Sequence, residues 1–150
     1  MEHLPEFIAN HLLLFSLLIG ISSLLLWNIY GSAASGIREI GAAEVTRMIN
    51  HEKAVVLDVR NEEEFAEGHI LNAMNIPADK LDEQIKVLNK HKDKPLILTC
   101  KQGMESLRVA RMIKQNGFEK IYSLKGGLQS WRDAKLPLMR DKQAEDNSSS

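Results

Sequence analysis

A second cysteine is missing from this chain of 150 residues; Cys100 stands alone. An internal disulfide and any metal site built on paired thiolates are thereby excluded. The five histidines, His3, His11, His51, His69 and His91, are scattered and have no metal-ligand spacing. A basic excess is missing too: the formal net charge is −1, and nothing in the composition argues for nucleic acid as a partner. Length leaves no room for a second enzyme domain. Finally, Asp, Glu, Lys and Arg are all absent from residues 7–37.

That uncharged stretch is apolar from residue 12 to 30 apart from Ser16, Ser22, Ser23 and Asn28. A helix over residues 8–30 is about 34 Å long at 1.5 Å per residue, enough to cross a hydrocarbon layer of about 30 Å. Trp27 and Tyr30 then stand where an interfacial aromatic belt belongs. A cleaved signal peptide fits less well, because a positive n-region is missing and the apolar run exceeds the usual length of about 7 to 15 residues. A buried core helix fits least, since only about 100 residues remain to surround a segment apolar on every face. Glu2 and Glu6 precede the helix and all 19 basic residues lie after it. The positive-inside rule therefore predicts a single-pass protein of the inner (cytoplasmic) membrane, with the folded domain after the helix facing the cytoplasm. The expected organisation is a short tail at 1–7, a transmembrane helix at 8–30, a linker at 31–36, a folded domain at 37–139 and a disordered tail at 140–150.

Within the domain, strand and helix signals alternate. Residues 37–40, 54–59, 73–76, 96–99 and 121–124 read as short strands, those at 54–59 and 96–99 as apolar runs. Residues 42–50, 61–66, 79–91, 107–116 and 128–134 read as helices, with Asn61 as the cap of the second and Gly117 as the stop of the fourth. Leu81, Ile85 and Leu88 give the third its apolar face. Such alternation predicts an α/β fold: a parallel sheet flanked by helices on both faces, with ligands outside the carboxyl ends of the strands.

Cys100 falls at one of those ends, in the loop Cys100-Lys101-Gln102-Gly103-Met104-Glu105-Ser106. Loop amides and the positive end of a helix dipole favour an anion there, and the thiolate is the form in which cysteine does chemistry. Gly103 permits an unusual turn, and Ser106 is expected to cap the next helix. The competing reading is a small buried hydrophobe. A cysteine phosphatase needs C-x5-R, whereas Ser106 occupies the arginine position and Arg108 comes two residues too late. A P-loop is also excluded, because Lys125-Gly126-Gly127 lacks its spacing.

The loop, with Gly117-Phe118, Ile121-Tyr122-Ser123-Leu124 and Gly126-Gly127-Leu128-Gln129-Ser130-Trp131, resembles the active-site half of a rhodanese domain. Upstream, Leu57-Asp58-Val59-Arg60, Glu64-Phe65, Gly68-His69-Ile70 and Asn75-Ile76-Pro77 extend the likeness over residues 37–138. The resemblance implies a rhodanese-like sulfurtransferase. Cys100 would carry sulfur as a persulfide from a donor (thiosulfate, or a protein or small-thiol persulfide) to a thiol acceptor. The backbone of Lys101, Gln102, Gly103, Met104, Glu105 and Ser106 would cradle the anion. Neither cofactor nor metal is implied. Partners are the membrane, the sulfur donor and acceptor, and other membrane proteins.

Where the family often has arginine at the second and sixth loop positions, this chain has Lys101 and Glu105. A carboxylate about 6 Å from the sulfur opposes each incoming negative charge by up to roughly 3 kcal/mol at an effective dielectric of 20, which disfavours thiosulfate. A solvated Glu105 pointing away from the loop is the alternative. Asp58, Arg60 and Glu64 are expected as a structural cluster in which Arg60 pairs with Glu64. His69 is expected as a hydrogen-bonded structural imidazole, Met104 as an entrance or tip residue, and Trp131 as core. The rival function, from another class, is a weakly active or inactive interaction module tethered to the membrane.

Overall fold

The computed structural model describes residues 3–33 and 36–141. Residues 142–150, nearly all of the expected tail, and residues 34–35 of the expected linker lie outside the described residues. The chain divides into two compact units, Met1–Gly36 and Ile37–Ser150.

The first unit holds α1 (Leu4–Asn10) and α2 (Leu12–Ala33). Helix begins inside the stretch expected to be a tail, because Pro5 sits in the first turn, where a missing N–H costs nothing. His11 N–H donates to the Phe7 carbonyl (3.2 Å) and Phe15 N–H to the His11 carbonyl (3.0 Å), so helical bonding continues across the α1–α2 junction. α2 also runs on through Gly31-Ser32-Ala33, expected as linker. Its segment Leu12–Tyr30 has a mean hydropathy of 2.2, with no part buried inside the protein, and is long and apolar enough to cross a membrane.

The second unit is an α/β fold. Its strands are β1 (Arg38–Ile40), β2 (Val55–Asp58), β3 (Met74–Asn75), β4 (Leu96–Thr99) and β5 (Ile121–Leu124). All pair in parallel, in the order β1-β5-β4-β2-β3. The helices are α3 (Ala42–Glu52), α4 (Glu62–Glu67), α5 (Leu81–Leu88), α6 (Met104–Gln115) and α7 (Gly127–Asp133). Residues 79–91, expected as one helix, are α5 with a 3-10 turn at each end, Ala78–Lys80 and Asn89–His91.

Strand periodicity explains the layers. Successive side chains of β4 point to opposite faces, so Leu96 and Leu98 join Leu81, Leu88, Val109 and Ile113 of α5 and α6 in one core. Ile97 joins Val45, Met48, Leu128 and Trp131 of α3 and α7 in the other. β4 is central and buried along its whole length, which is why it reads as an unbroken apolar run. Its carboxyl end delivers Cys100 next to the end of β2, where Thr99 is in register with Asp58.

Candidate active site

Cys100 comes directly after the last residue of β4 and is 2% exposed. The chain then turns through Gly103, whose φ of 97° lies in the left-handed region, and enters α6 at Met104. This turn aims two backbone donors at the sulfur: Gly103 N–H lies 3.0 Å from Cys100 Sγ and Ser106 N–H 3.4 Å. Both come from the amino-terminal end of α6, where the first N–H groups lack helical partners and the dipole is positive. The two amides cradle a thiol that is itself buried against the core shared by α5 and α6, while Lys101, Gln102, Met104 and Glu105 on the loop are exposed.

Ser106 corrects the sequence expectation. The helix starts three residues earlier than a Ser106 cap would require, and its N-cap is Gly103, which has no side chain to announce it. Ser106 is instead fully buried in the first turn. Its Oγ donates to the Gly103 carbonyl (2.9 Å) and lies 2.8 Å from Oγ of Ser123 on β5, also fully buried.

A second support comes from the β5–α7 turn. Leu128 N–H donates to the Cys100 carbonyl (2.7 Å) and Gln129 N–H to the Lys101 carbonyl (3.1 Å). The loop carbonyls are thereby drawn to α7 while amides face the sulfur. This approach requires glycine. A Cβ on Gly127 would stand 2.5 Å from the Cys100 carbonyl oxygen and 2.7 Å from Gly103 N, at a φ of 61°.

The charged cluster pairs differently from expectation. Arg60 binds Asp58, not Glu64: its Nη2 and Nε donate to Asp58 at 2.6 and 2.9 Å, and the Arg60 N–H donates to the same carboxylate at 3.1 Å. Arg60 Nη2 also donates to the Gly68 carbonyl (2.7 Å), and Asn75 Nδ2 ties down the carbonyls of Asp58 and Arg60. Adjacency explains the choice, since a carboxylate two residues away reaches the guanidinium in the strand-end turn, while Glu64 lies on α4. Glu64 instead faces Lys101 at 4.0 Å across the loop. Glu105 is exposed and pairs with Arg108 at 3.6 Å, so each loop charge has an opposite one beside it at the surface. His69 stacks on Phe65 with ring centres 3.9 Å apart, and its Nδ1 lies 2.8 Å from the Phe65 carbonyl oxygen. Trp131 is core, with Nε1 donating to the Pro137 carbonyl (3.1 Å).

Residues 41–134 match the model of the rhodanese-like domain. The chain belongs to the rhodanese-like family. It is 34% identical over 143 residues to the uncharacterised protein YibN of Escherichia coli (strain K12), covering 95% of this chain and 100% of YibN. Among solved structures, a rhodanese-related protein from Thermoplasma volcanium is 34% identical with a TM-score of 0.62, covering 68% of this chain and 97% of that one. A thiosulfate sulfurtransferase from Pseudomonas aeruginosa is 27% identical with a TM-score of 0.63, covering 70% of this chain but only 20% of the enzyme. This rhodanese-like domain therefore has a thiosulfate sulfurtransferase among its structural neighbours.

The loop from Cys100 lies between β4 and α6, where the sequence placed it. The sequence did not show the contact of Ser123 with Ser106, that of Gly127 with the loop, Asn75 as a tie, or Arg108 as the partner of Glu105. All four positions stand in motifs or spacings weighed in the sequence, but their contacts were not readable from it.

Proposed function

We propose that this protein is a membrane-anchored sulfurtransferase that carries sulfur as a persulfide on Cys100. The observation that carries the reading is the pair of amides, Gly103 and Ser106, directed at Sγ. The Cys100 thiolate attacks the outer sulfur of a donor persulfide; the donor S–S bond breaks, its electron pair leaves on the donor thiolate, and a new S–S bond forms on Cys100. The outer sulfur, once it loses its proton, is a second anion that the same loop amides stabilise. An acceptor thiolate then takes that sulfur and returns Cys100 to the thiolate, so no external oxidant or reductant is needed.

Charge compensation around the loop, Lys101 with Glu64 and Arg108 with Glu105, favours a protein or small-thiol persulfide over dianionic thiosulfate. α2 supplies the membrane anchor, and the charge asymmetry supports a single pass through the inner membrane with the domain in the cytoplasm. Tethering raises the local concentration of membrane-bound donors and acceptors. The experiment is to incubate the detergent-purified chain with glutathione persulfide or thiosulfate and record intact mass. Wild type gains one sulfur from the persulfide and Cys100→Ser gains none. No gain from either donor would leave an interaction module as the surviving reading. Glu105→Arg is expected to raise loading from thiosulfate about tenfold.

A further inference from the structure

We propose that Ser123, on β5 and outside the catalytic loop, is a positioning residue that sets the sulfur cradle through Ser106. A hydroxyl has one proton, and that of Ser106 goes to the Gly103 carbonyl (2.9 Å). The 2.8 Å contact between the two serine oxygens must therefore be donated by Ser123. The result is a directed chain: Ser123 hydroxyl to Ser106 hydroxyl to Gly103 carbonyl. Both serines are fully buried, where water cannot substitute for a lost partner.

The end of this chain is the residue whose orientation matters. Gly103 has the weakest intrinsic backbone preference of any residue type, and it holds the shorter of the two contacts to Sγ, 3.0 Å. Ser106 contributes the other contact through its own N–H, so one side chain braces both donors. Ser123 in turn fixes Ser106 to the sheet: Ser123 is in register with Leu98 of β4, two residues before Cys100. The hydroxyl pair thus spans from the strand layer to the helix start and holds amide donors in place around a sulfur they do not covalently constrain. Preorganised donors are what make such a cradle effective, because a loosely held amide must reorganise when the charge develops.

This inference rests on the cradle described for the proposed sulfur transfer, and its test separates the two. The detergent-purified chain and its Ser123→Ala, Ser123→Thr and Ser106→Ala variants are reacted with iodoacetamide at pH 7, and the amide resonances of Gly103 and Ser106 and sulfur loading from glutathione persulfide are measured alongside. Ser123→Ala is expected to slow alkylation about threefold to tenfold, to move both amide resonances, and to lower kcat with KM nearly unchanged. Ser106→Ala gives the same signature, and the double variant is no worse than Ser106→Ala, because both act through one chain. Ser123→Thr, which keeps the hydroxyl, alkylates faster than Ser123→Ala. Unchanged alkylation and unchanged Gly103 and Ser106 resonances in folded Ser123→Ala would overturn the proposal, and should that variant not fold, the same unchanged result in Ser106→Ala would do so. If wild type loads no sulfur, the function proposed above fails, while alkylation and the amide resonances still judge Ser123.

Discussion

Two neighbouring parallel strands, β2 and β4, end side by side and turn into helices, yet their turns hold charge in opposite ways. At the end of β2 a buried carboxylate, Asp58, is satisfied by the guanidinium and the backbone of Arg60, and that arginine is spent further on the Gly68 carbonyl. The site is closed: each formal charge has an opposite one in contact. At the end of β4 the acceptor is a thiol, and its donors are main-chain amides carrying no formal charge. Donors of this kind bring no formal cation that would need a buried partner of its own. The β2 turn is held by a side-chain ion pair, whereas the β4 turn directs only backbone donors at its acceptor.

Four substitutions would break or sharpen this contrast. Arg60→Leu leaves Asp58 as an unpaired buried carboxylate and should cost about 3–5 kcal/mol, seen as a large drop in the urea midpoint. An unchanged midpoint would mean the β2 turn is not held by its ion pair. Gly127→Ala acts on the other turn: a left-handed alanine costs about 1–3 kcal/mol, and its methyl must displace the Cys100 carbonyl. Loss of sulfur loading should therefore exceed what the stability change explains, as single-turnover loading at low temperature would reveal. Cys100→Ser should remove sulfur loading entirely while shifting stability by about 1 kcal/mol or less, because the amides keep a small polar acceptor. The smallest effect is expected for Glu62→Gln. Lys80, 2.8 Å away, holds the Glu62 carboxyl below its ordinary range and is itself raised, but both groups are in solvent. A carboxyl with a lowered folded value contributes stability above the ordinary carboxylate range and loses it on acidification. The thermal midpoint at pH 7 should barely move, and the wild-type and variant curves should converge further as pH falls.

Much of the scaffold was legible because its signals are local. β4 lies where an unbroken apolar run placed it, β5 covers the expected residues 121–124, Asn61 caps α4 by accepting from Glu64 N–H at 2.8 Å, and Gly117 ends α6 at a φ of 91°. The start of α6 was not legible, since a glycine cap leaves no side-chain signature and a serine three residues on imitates one. The partner of Arg60 was misjudged within the charged cluster that closes the strand-to-helix turn: Glu64 was expected, but Arg60 stands before the helix begins and reaches Asp58 instead. Ser123 stood within the motif Ile121-Tyr122-Ser123-Leu124, but a serine in a short buried strand looks like a weak strand former until the facing hydroxyl is known.

By itself the sequence determined the apolar helix, the order of strands and helices, and the placement of the one thiol at a strand end, all of which stem from residue periodicity and from the scarcity of cysteine. Only the tertiary structure decided which amides reach the sulfur, which cations are neutralised, and which distant groups brace the loop. Those outcomes depend on distances of a few tenths of an ångström between segments far apart in the chain. Hydrogen bonding and charge pairing are steep functions of such distances, and no pattern along a single strand or helix encodes them.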